Sequence, residues 1–231
     1  MEMNGKQSYN RGATMKVIAV NGSPRKTWNT ATLLGKAMEG AAAQGAETEL
    51  VHLYDLDFKG CISCLACKTR GGKSYGTCGL NDGLTPILQR IIEADALIIG
   101  SPIYFGSVTG ETCSFLERLL FPYLTYTVPY ASIAPKKIAT GFIYTMNVAE
   151  EQSKAYGYEH LFNSHARYLQ LIFGQQPESL CSFDTCQVDD YAKVMIESFD
   201  PVHKAERREE VFPQDCRKAY ELGARLAGKD L

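Results

Sequence analysis

The sequence predicts a doubly wound α/β domain, in which an open parallel sheet carries helices on both faces. Two observations lead to this prediction. Short apolar runs alternate along the chain with longer amphipathic stretches, an order typical of strand–helix–strand units. One of the runs, residues 96–100, is apolar without interruption, as expected of a strand that is buried on both faces. Such sheets bind ligands where the loops leave the carboxyl ends of the strands.

The first half of the chain contains three of the predicted strands and two helices. Residues 16–20 are β-rich and end at an Asn-Gly pair, which predicts the first strand. Residues 30–44 are rich in Ala and Leu and stop at a glycine, which predicts a helix. Residues 47–53 alternate between polar and apolar, as a second strand does. Residues 84–94 form the next predicted helix, with Asp82 as its N-cap, and the apolar run described above is the third strand.

The second half repeats this order. Residues 109–120 predict a helix and residues 137–145 predict the fourth strand. Residues 150–173 look helical, and residues 179–183 predict the last strand. Residues 205–227 are rich in charge and predict a solvent-facing helix that closes the chain.

Composition places the chain among ordinary globular proteins, with 45% apolar and 22% charged residues. Residues 1–14 are polar and predict a disordered leader, so that residues 15–231 form one domain. The net charge of −2 argues against a nucleic-acid partner, and no stretch is apolar enough to cross a membrane. We therefore expect a cytoplasmic protein without a nucleic-acid or membrane partner.

The loop after the first strand, residues 21–32, is the first candidate site. It enters a helix, and the free N–H groups of a helix start suit a phosphate. Neither a Gly-x-x-x-x-Gly-Lys-Ser/Thr loop nor a Gly-x-Gly-x-x-Gly fingerprint is present, so the phosphate would be a monoester held mostly by neutral donors. The alternative is an ordinary polar loop with a capping Asn or Thr. Possible donors are Ser23, Arg25, Lys26, Thr27, Asn29, Thr30 and Thr32.

The loop after the third strand, residues 101–109, is the second. It places Tyr104 and Phe105 between a proline and a glycine, which would make a stiff wall for a flat ring. The alternative is that both aromatic rings simply pack under a neighbouring helix.

A cluster of cysteines is the third candidate site. The chain has eight, and Cys61, Cys64, Cys67 and Cys78 lie within 18 residues, in a Gly-rich loop at about residues 58–82. Such compact spacing suits a [4Fe–4S] cluster, and four thiolates also hold zinc. The third possibility is free thiols or an adventitious disulfide.

Together, the motifs of residues 22–30 and 101–107 resemble the flavodoxin-like NAD(P)H-dependent FMN reductase superfamily, and the cysteines resemble its iron–sulfur flavoprotein branch. In that branch the fourth cysteine usually follows the third more closely than the ten residues that intervene here. The resemblance implies strand order 2-1-3-4-5 and non-covalent FMN. It implies that the phosphate is held by Ser23, Arg25, Asn29, Thr30 and Ala31. It implies that the ring is lined by Pro102, Ile103, Tyr104, Phe105 and Gly106. Residues 145–147 should approach the ring from its other side.

The resemblance implies an FMN-binding oxidoreductase that passes electrons from NAD(P)H to a quinone, flavin or similar acceptor, without a catalytic side chain. The alternative is an electron carrier that exchanges single electrons with ferredoxin-like partners through a [4Fe–4S] cluster. A third hypothesis is a regulatory module whose loop is held by zinc. The family also implies a homodimer or homotetramer, for which the aromatic residues 121–130 are a candidate interface.

Overall fold

The computed structural model describes residues 14–228 of the chain. The predicted leader, residues 1–14, lies outside this range except for Thr14. The strands are β1 (Lys16–Asn21), β2 (Glu47–His52), β3 (Ala96–Tyr104), β4 (Ser107–Val108), β5 (Leu124–Thr125), β6 (Ala131–Ser132), β7 (Ala139–Thr145) and β8 (Glu178–Ser182). The helices are α1 (Asn29–Ala43), α2 (Thr85–Glu93), α3 (Gly110–Leu120), α4 (Glu150–Ala155), α5 (Tyr158–Phe173), α6 (Pro201–Glu206) and α7 (Phe212–Leu226).

Five parallel strands form the main sheet in the order β2-β1-β3-β7-β8. In order of appearance this is 2-1-3-4-5, so the predicted order is confirmed. The short β4 adds an antiparallel partner to the end of β3, where Ile103 pairs with Val108. A separate two-stranded sheet of β5 and β6 was not predicted. β5 lies within the aromatic stretch 121–130, and β6 follows directly after it.

Helices cover both faces of the sheet. Successive residues of β1 point to opposite sides, so that Ile18 and Val20 join a core formed with α2, α3 and α5. Val17 and Ala19 join a second core formed with α1 and α7. The central strands β3 and β7 are buried almost throughout, as the uninterrupted apolar run of residues 96–100 predicts.

The prediction of a solvent-facing last helix was wrong. Although α7 is highly charged, one of its faces packs closely on α1, and Leu222 and Leu226 are buried there. Two glycines make the approach possible. A β-carbon on Gly40 would lie 1.9 Å from the carbonyl oxygen of Tyr220, and one on Gly223 would lie 1.8 Å from that of Ala37.

Two smaller predictions also need correction. The helical stretch 150–173 is divided into α4 and α5, because Gly157 adopts a left-handed conformation with φ of +74°. The residue before α2 is Leu84 rather than Asp82. Asp82 lies in the turn that precedes α2, where its carboxylate accepts a hydrogen bond from the backbone N–H of Leu84. Among the described helices, none has the length and apolar character needed to cross a bilayer.

Candidate functional site

A cavity of about 210 Å³ opens at the carboxyl edge of the sheet, between the loops that follow β1, β7 and β8 and the end of β3. The residues that β3 contributes were predicted to lie in a loop, but the strand continues through Tyr104, because it pairs with β7 up to Pro102 and then with β4. Both predicted ligand-binding loops contribute to it, as does the loop after β7. Seven of the ten residues predicted to bind FMN line it: Ser23, Arg25, Asn29, Thr30, Pro102, Ile103 and Tyr104.

The loop after β1 is shaped by its own side chains. The buried Asn21 accepts a hydrogen bond of 3.0 Å from the backbone N–H of Ser23, and the Ser23 hydroxyl accepts one of 3.1 Å from Arg25. Neither Asn nor Thr caps α1, because the N-cap is Trp28, which makes no capping hydrogen bond. Within residues 14–228, the N-cap side chain therefore accepts from none of the first N–H groups of α1, which are available to an anion.

The loop after β8, residues 183–200, closes one side of the cavity. Arg25 donates to the carbonyl oxygen of Gln187. Asn29 and Trp28 both donate to the carbonyl oxygen of Cys186, at 2.8 Å and 3.1 Å. Sequence reasoning missed this loop, which carries no motif. Its one signal was its position, since it follows a parallel strand and must leave at the same edge. The lining residues that it supplies are Thr185, Gln187, Val188 and Ile196.

Trp28 lies between two guanidinium groups. The central carbons of Arg25 and Arg208 are 5.2 Å and 5.1 Å from its ring centre, a distance typical of cation–π contacts. Arg208 also pairs with Asp189 in the loop after β8 at 2.8 Å. The indole thus joins the loop after β1 to the C-terminal helices.

The opposite wall is formed by the end of β7. The hydroxyls of Thr30 and Thr145 lie 2.8 Å apart and form a buried hydrogen bond between α1 and β7. Asn147, two residues later, lines the cavity, and its buried Oδ1 accepts no hydrogen bond from any residue that the structure describes. An unpaired buried acceptor destabilises the fold, so a ligand N–H or O–H is favoured there. Residues 145–147 therefore line the cavity, and their approach to the flavin ring stays a prediction.

The other three predicted FMN-binding residues do not line the cavity. Phe105 and Gly106 form the turn between β3 and β4, with φ of +50° and +77°, and the Phe105 side chain is fully exposed. Ala31 is buried inside α1. Their contacts with FMN stay predictions.

All four clustered cysteines line a second pocket, of about 20 Å³, beside α3. Cys61 and Cys64 are exposed, Cys78 is partly buried and Cys67 is buried. Ser63 and Leu65 both adopt left-handed φ angles, of +55° and +57°, which are rare for such residues and concentrate at functional sites. No three or more His, Cys, Asp or Glu side chains within residues 14–228 converge closely enough to hold a single metal ion.

The long spacing between the third and fourth cysteines is accommodated by a closed loop. The backbone N–H of Gly76 donates to the carbonyl oxygen of Cys67 at 3.1 Å, which returns the chain to the pocket. Lys68, within this loop, donates to the carbonyl oxygens of Phe121, Pro122 and Leu124. Cys67 and Cys78 therefore line the same pocket although ten residues lie between them in the sequence.

Two neighbouring residues of α3 hold the ends of the cysteine loop. Glu117 accepts from the backbone N–H of Cys61 at 2.9 Å. Arg118 donates to Asp82, which follows Cys78. Burial by itself would raise the pKa of Asp82, but the hydrogen bond and charge of Arg118 hold it below its usual range. Burial raises the pKa of the Cys67 thiol, against the opposing charge of Lys68.

Parts of the chain are similar in sequence to known proteins. The family model for NADPH-dependent FMN reductase matches residues 15–147. An iron–sulfur flavoprotein of Methanocaldococcus jannaschii is 39% identical over 104 residues, which cover 45% of this chain and 51% of that protein. One from Archaeoglobus fulgidus is 40% identical over 104 residues, covering 45% and 48%. The chain thus spans about half the length of the curated relatives that it matches.

Solved structures share the fold over nearly the whole chain. An NAD(P)H:quinone oxidoreductase from Methanothermobacter marburgensis superposes with a TM-score of 0.67, at 15% identity, covering 93% of this chain and all of that one. An azoreductase from Bacillus anthracis gives 0.64 at 13% identity, covering 92% of this chain and all of that one. At such identities the likeness concerns the fold alone, and it confirms the predicted fold class.

Proposed function

The chain belongs to the NADPH-dependent FMN reductase family, and we propose that it is an FMN-dependent oxidoreductase that takes electrons from NAD(P)H. One observation carries the proposal. The cavity at the carboxyl edge combines an α1 start that no side chain caps with an unpaired, buried acceptor on Asn147. The first suits a phosphate monoester, and the second suits an N–H or O–H group of the same ligand.

In this proposal the chain binds and orients FMN. The N–H groups of α1 with Ser23, Arg25, Asn29, Thr30 and Ala31 hold the phosphate. Pro102, Ile103 and Tyr104 form one wall, with Phe105 and Gly106 at its rim. Bound FMN would supply the chemistry, which is the transfer of two electrons from NAD(P)H to a quinone, flavin or similar acceptor. No side chain is needed as acid or base.

Two of the proposed phosphate ligands already make hydrogen bonds in this structure: Arg25 donates to the carbonyl oxygen of Gln187, and Asn29 to that of Cys186. Both side chains must turn away from these carbonyl oxygens, or share their N–H groups, to reach a phosphate. We therefore expect the loop 183–200 to shift when FMN binds, and to do so less for riboflavin, which has no phosphate.

Titration of the purified chain with FMN, followed by flavin fluorescence, tests the cavity. Asn147→Leu removes the unpaired acceptor and should weaken FMN binding roughly tenfold or more. Asn163→Leu is the matched control, because Asn163 is exposed on α5 and lies outside the cavity lining. A wild-type chain that binds no FMN, or equal affinities for the two variants, would contradict the proposed site.

A second candidate function is a single-electron carrier that holds a [4Fe–4S] cluster on Cys61, Cys64, Cys67 and Cys78. The observation that favours it is that all four cysteines line one pocket, despite their uneven spacing. Thiolates are the ligands of such clusters, so the donor set fits. Its partner would be a small redox protein rather than a small molecule.

Metal analysis and kinetics separate the two functions. The chain should be purified anaerobically, and its iron, acid-labile sulfide, zinc and FMN quantified on one sample. Four iron and four sulfide per chain, with slow NAD(P)H oxidation, would favour the carrier. Fast NAD(P)H oxidation with FMN alone would favour the reductase, and stoichiometric zinc would exclude the cluster.

We further propose that the chain forms a homodimer or homotetramer. Its exposed aromatic side chains support this, since such residues are enriched at interfaces; they include Phe105, Tyr126 and Tyr130. Light scattering after size-exclusion chromatography measures the assembly, and Phe105→Ser should shift it toward the monomer. We also propose a cytoplasmic location, because clustered thiols suit a reducing compartment.

A further inference from the structure

Arg118 is a buried cation in the wall of the cysteine pocket. It projects from α3, and its side chain is completely buried. Its Nε donates to the sulfur of Cys78 at 3.3 Å. Its Nη1 donates to the carbonyl oxygen of Lys59 at 3.0 Å and to the carboxylate of Asp82.

The remaining nitrogen of this guanidinium has no partner. Nη2 is one of only four buried side-chain nitrogen or oxygen atoms within residues 14–228 that make no hydrogen bond. A buried donor on a charged group is costly to leave unpaired, so a ligand in the pocket that accepts from Nη2 is favoured.

Holding the loop together does not account for all of these contacts. Nη1 alone reaches both ends of the cysteine loop, through Lys59 and Asp82. Nε, by contrast, points at a thiol sulfur, which is a weak acceptor when protonated. A thiolate or sulfide is a far better acceptor for both Nε and Nη2.

Charge supports the same assignment. Four thiolates around a cluster bring several negative charges to one place, and those of the buried Cys67 and the partly buried Cys78 require compensation. Glu117 and Arg118 are the ionised side chains that line this pocket within residues 14–228, and Lys68 and Asp82 belong to the same cysteine loop. Lys68 is committed to three carbonyl oxygens, so Arg118 is the cation that directly contacts a cysteine sulfur.

We propose that Arg118 is a positioning residue for a [4Fe–4S] cluster. Its Nε holds the Cys78 sulfur in place as a ligand, and its Nη2 donates a second hydrogen bond to a sulfur of the bound cluster. This inference rests on the proposed cluster of the preceding subsection. Hydrogen bonds to cluster sulfurs stabilise the more negative, reduced form, so Arg118 raises the reduction potential.

The first test compares Arg118→Lys with Asp82→Asn. Lysine keeps the charge but cannot donate from two fixed positions, whereas Asp82→Asn keeps both donors and removes a negative charge. After anaerobic reconstitution, EPR-monitored titration should give a lower cluster potential for Arg118→Lys than for wild type. Asp82→Asn should leave the potential unchanged or raise it. Loss of iron to a chelator should be several-fold faster in Arg118→Lys.

Equal potentials in wild type and Arg118→Lys, both with four iron per chain, would overturn the role of Arg118 and leave the cluster intact. A wild-type chain that binds FMN but no iron would overturn this inference and the carrier function together, and would leave the flavin site standing. FMN content, measured on the same samples, reports whether each variant is folded.

A second measurement needs no variant. The wild-type chain is labelled with ¹⁵N-arginine, reconstituted and reduced with dithionite, and examined by pulsed EPR. A ¹⁵N hyperfine coupling to the cluster is the expected result, because a hydrogen-bonded nitrogen lies next to a cluster sulfur. A cluster signal without ¹⁵N coupling would contradict the proposal even if Arg118→Lys failed to fold.

Discussion

The side-chain amide of Asn29 donates a hydrogen bond of 2.8 Å to the carbonyl oxygen of Cys186, a residue 157 positions later. This bond joins the start of α1 to the loop after β8, and the proposed phosphate site lies where the two meet. The same Asn29 is proposed to hold the phosphate. Replacing it would therefore remove both a bond that positions the loop after β8 and a contact with the ligand.

Asn29→Ala should therefore weaken FMN binding by roughly tenfold or more, because a hydrogen bond to a charged group is lost. Riboflavin binding should weaken less. Lys26→Ala, in the same loop, is the control, since Lys26 is exposed and pairs with Asp55 outside the cavity. Equal losses for FMN and riboflavin would show that Asn29 supports only the loop.

The contact between α1 and α7 predicts a sharp difference between two glycines of the same helix. Gly40→Ala would place a β-carbon 1.9 Å from the carbonyl oxygen of Tyr220, and overpacking of this kind costs about 1–3 kcal/mol of unfolding free energy. Gly35→Ala meets no atom within 4 Å and should be stabilising by about 0.5–1 kcal/mol. Urea denaturation measures both, and similar values for the two would contradict the packing.

His165 should make the stability of the fold depend on pH. It stacks on Phe142 with ring centres 5.1 Å apart, and its Nδ1 lies 3.0 Å from the Tyr144 hydroxyl. Burial lowers its pKa from 6.5 to about 4. The unfolded chain therefore binds this proton more readily, and the stability present above pH 6.5 is lost as the pH falls toward 4.

This pKa difference corresponds to at most about 3 kcal/mol. The check is urea denaturation at several pH values between 4 and 7, comparing wild type with His165→Gln. In His165→Gln, the unfolding free energy should lose most of its dependence on pH across this range. In His160→Gln, at an exposed position of the same helix, that dependence should be kept. A wild-type slope retained in His165→Gln would assign the pH dependence elsewhere.

Lys204 should be essential to the edge of the sheet where the cavity lies. It is buried, pairs with Asp184 and donates to the carbonyl oxygen of Asn147 at 2.9 Å. Lys204→Met leaves a carboxylate poorly compensated, and should cost about 3 kcal/mol of unfolding free energy and weaken FMN binding. Lys193→Met removes an exposed ion pair with Asp190 and should cost less than about 1 kcal/mol. Similar losses of stability and of FMN affinity in Lys204→Met and Lys193→Met would refute a special role for Lys204 at this edge of the sheet.

Local patterns were sufficient for the five strands of the parallel sheet, and the resemblance to the family implied their order. The apolar run of residues 96–100 and the alternation of residues 47–53 reflect the period of a β-strand and its burial, which neighbouring residues record directly. The two ligand-binding loops follow from the same reasoning, since the carboxyl ends of parallel strands meet at one edge. The four cysteines could be found because they are close in sequence.

Other features depend on contacts between distant segments, which no local pattern records. The charge of residues 205–227 indicates an exposed helix, yet the glycines of α1 and α7 allow close packing that buries one face. Asp82 and Arg118 are 36 residues apart, so neither reveals the other in the sequence. The loop after β8 reaches the cavity only because β8 lies beside β7 and Cys186 returns to Asn29.

The sequence by itself therefore determined the fold class, the family and the residue types that bring phosphate donors and thiols to this protein. Only the tertiary structure decided which of them meet. It turned Phe105 outward, placed Gln187 in the cavity, and set a buried guanidinium against Cys78. The physical reason is that secondary structure follows from periodicities of a few residues, whereas a binding site is made by side chains whose separation is set by the packing of the whole chain.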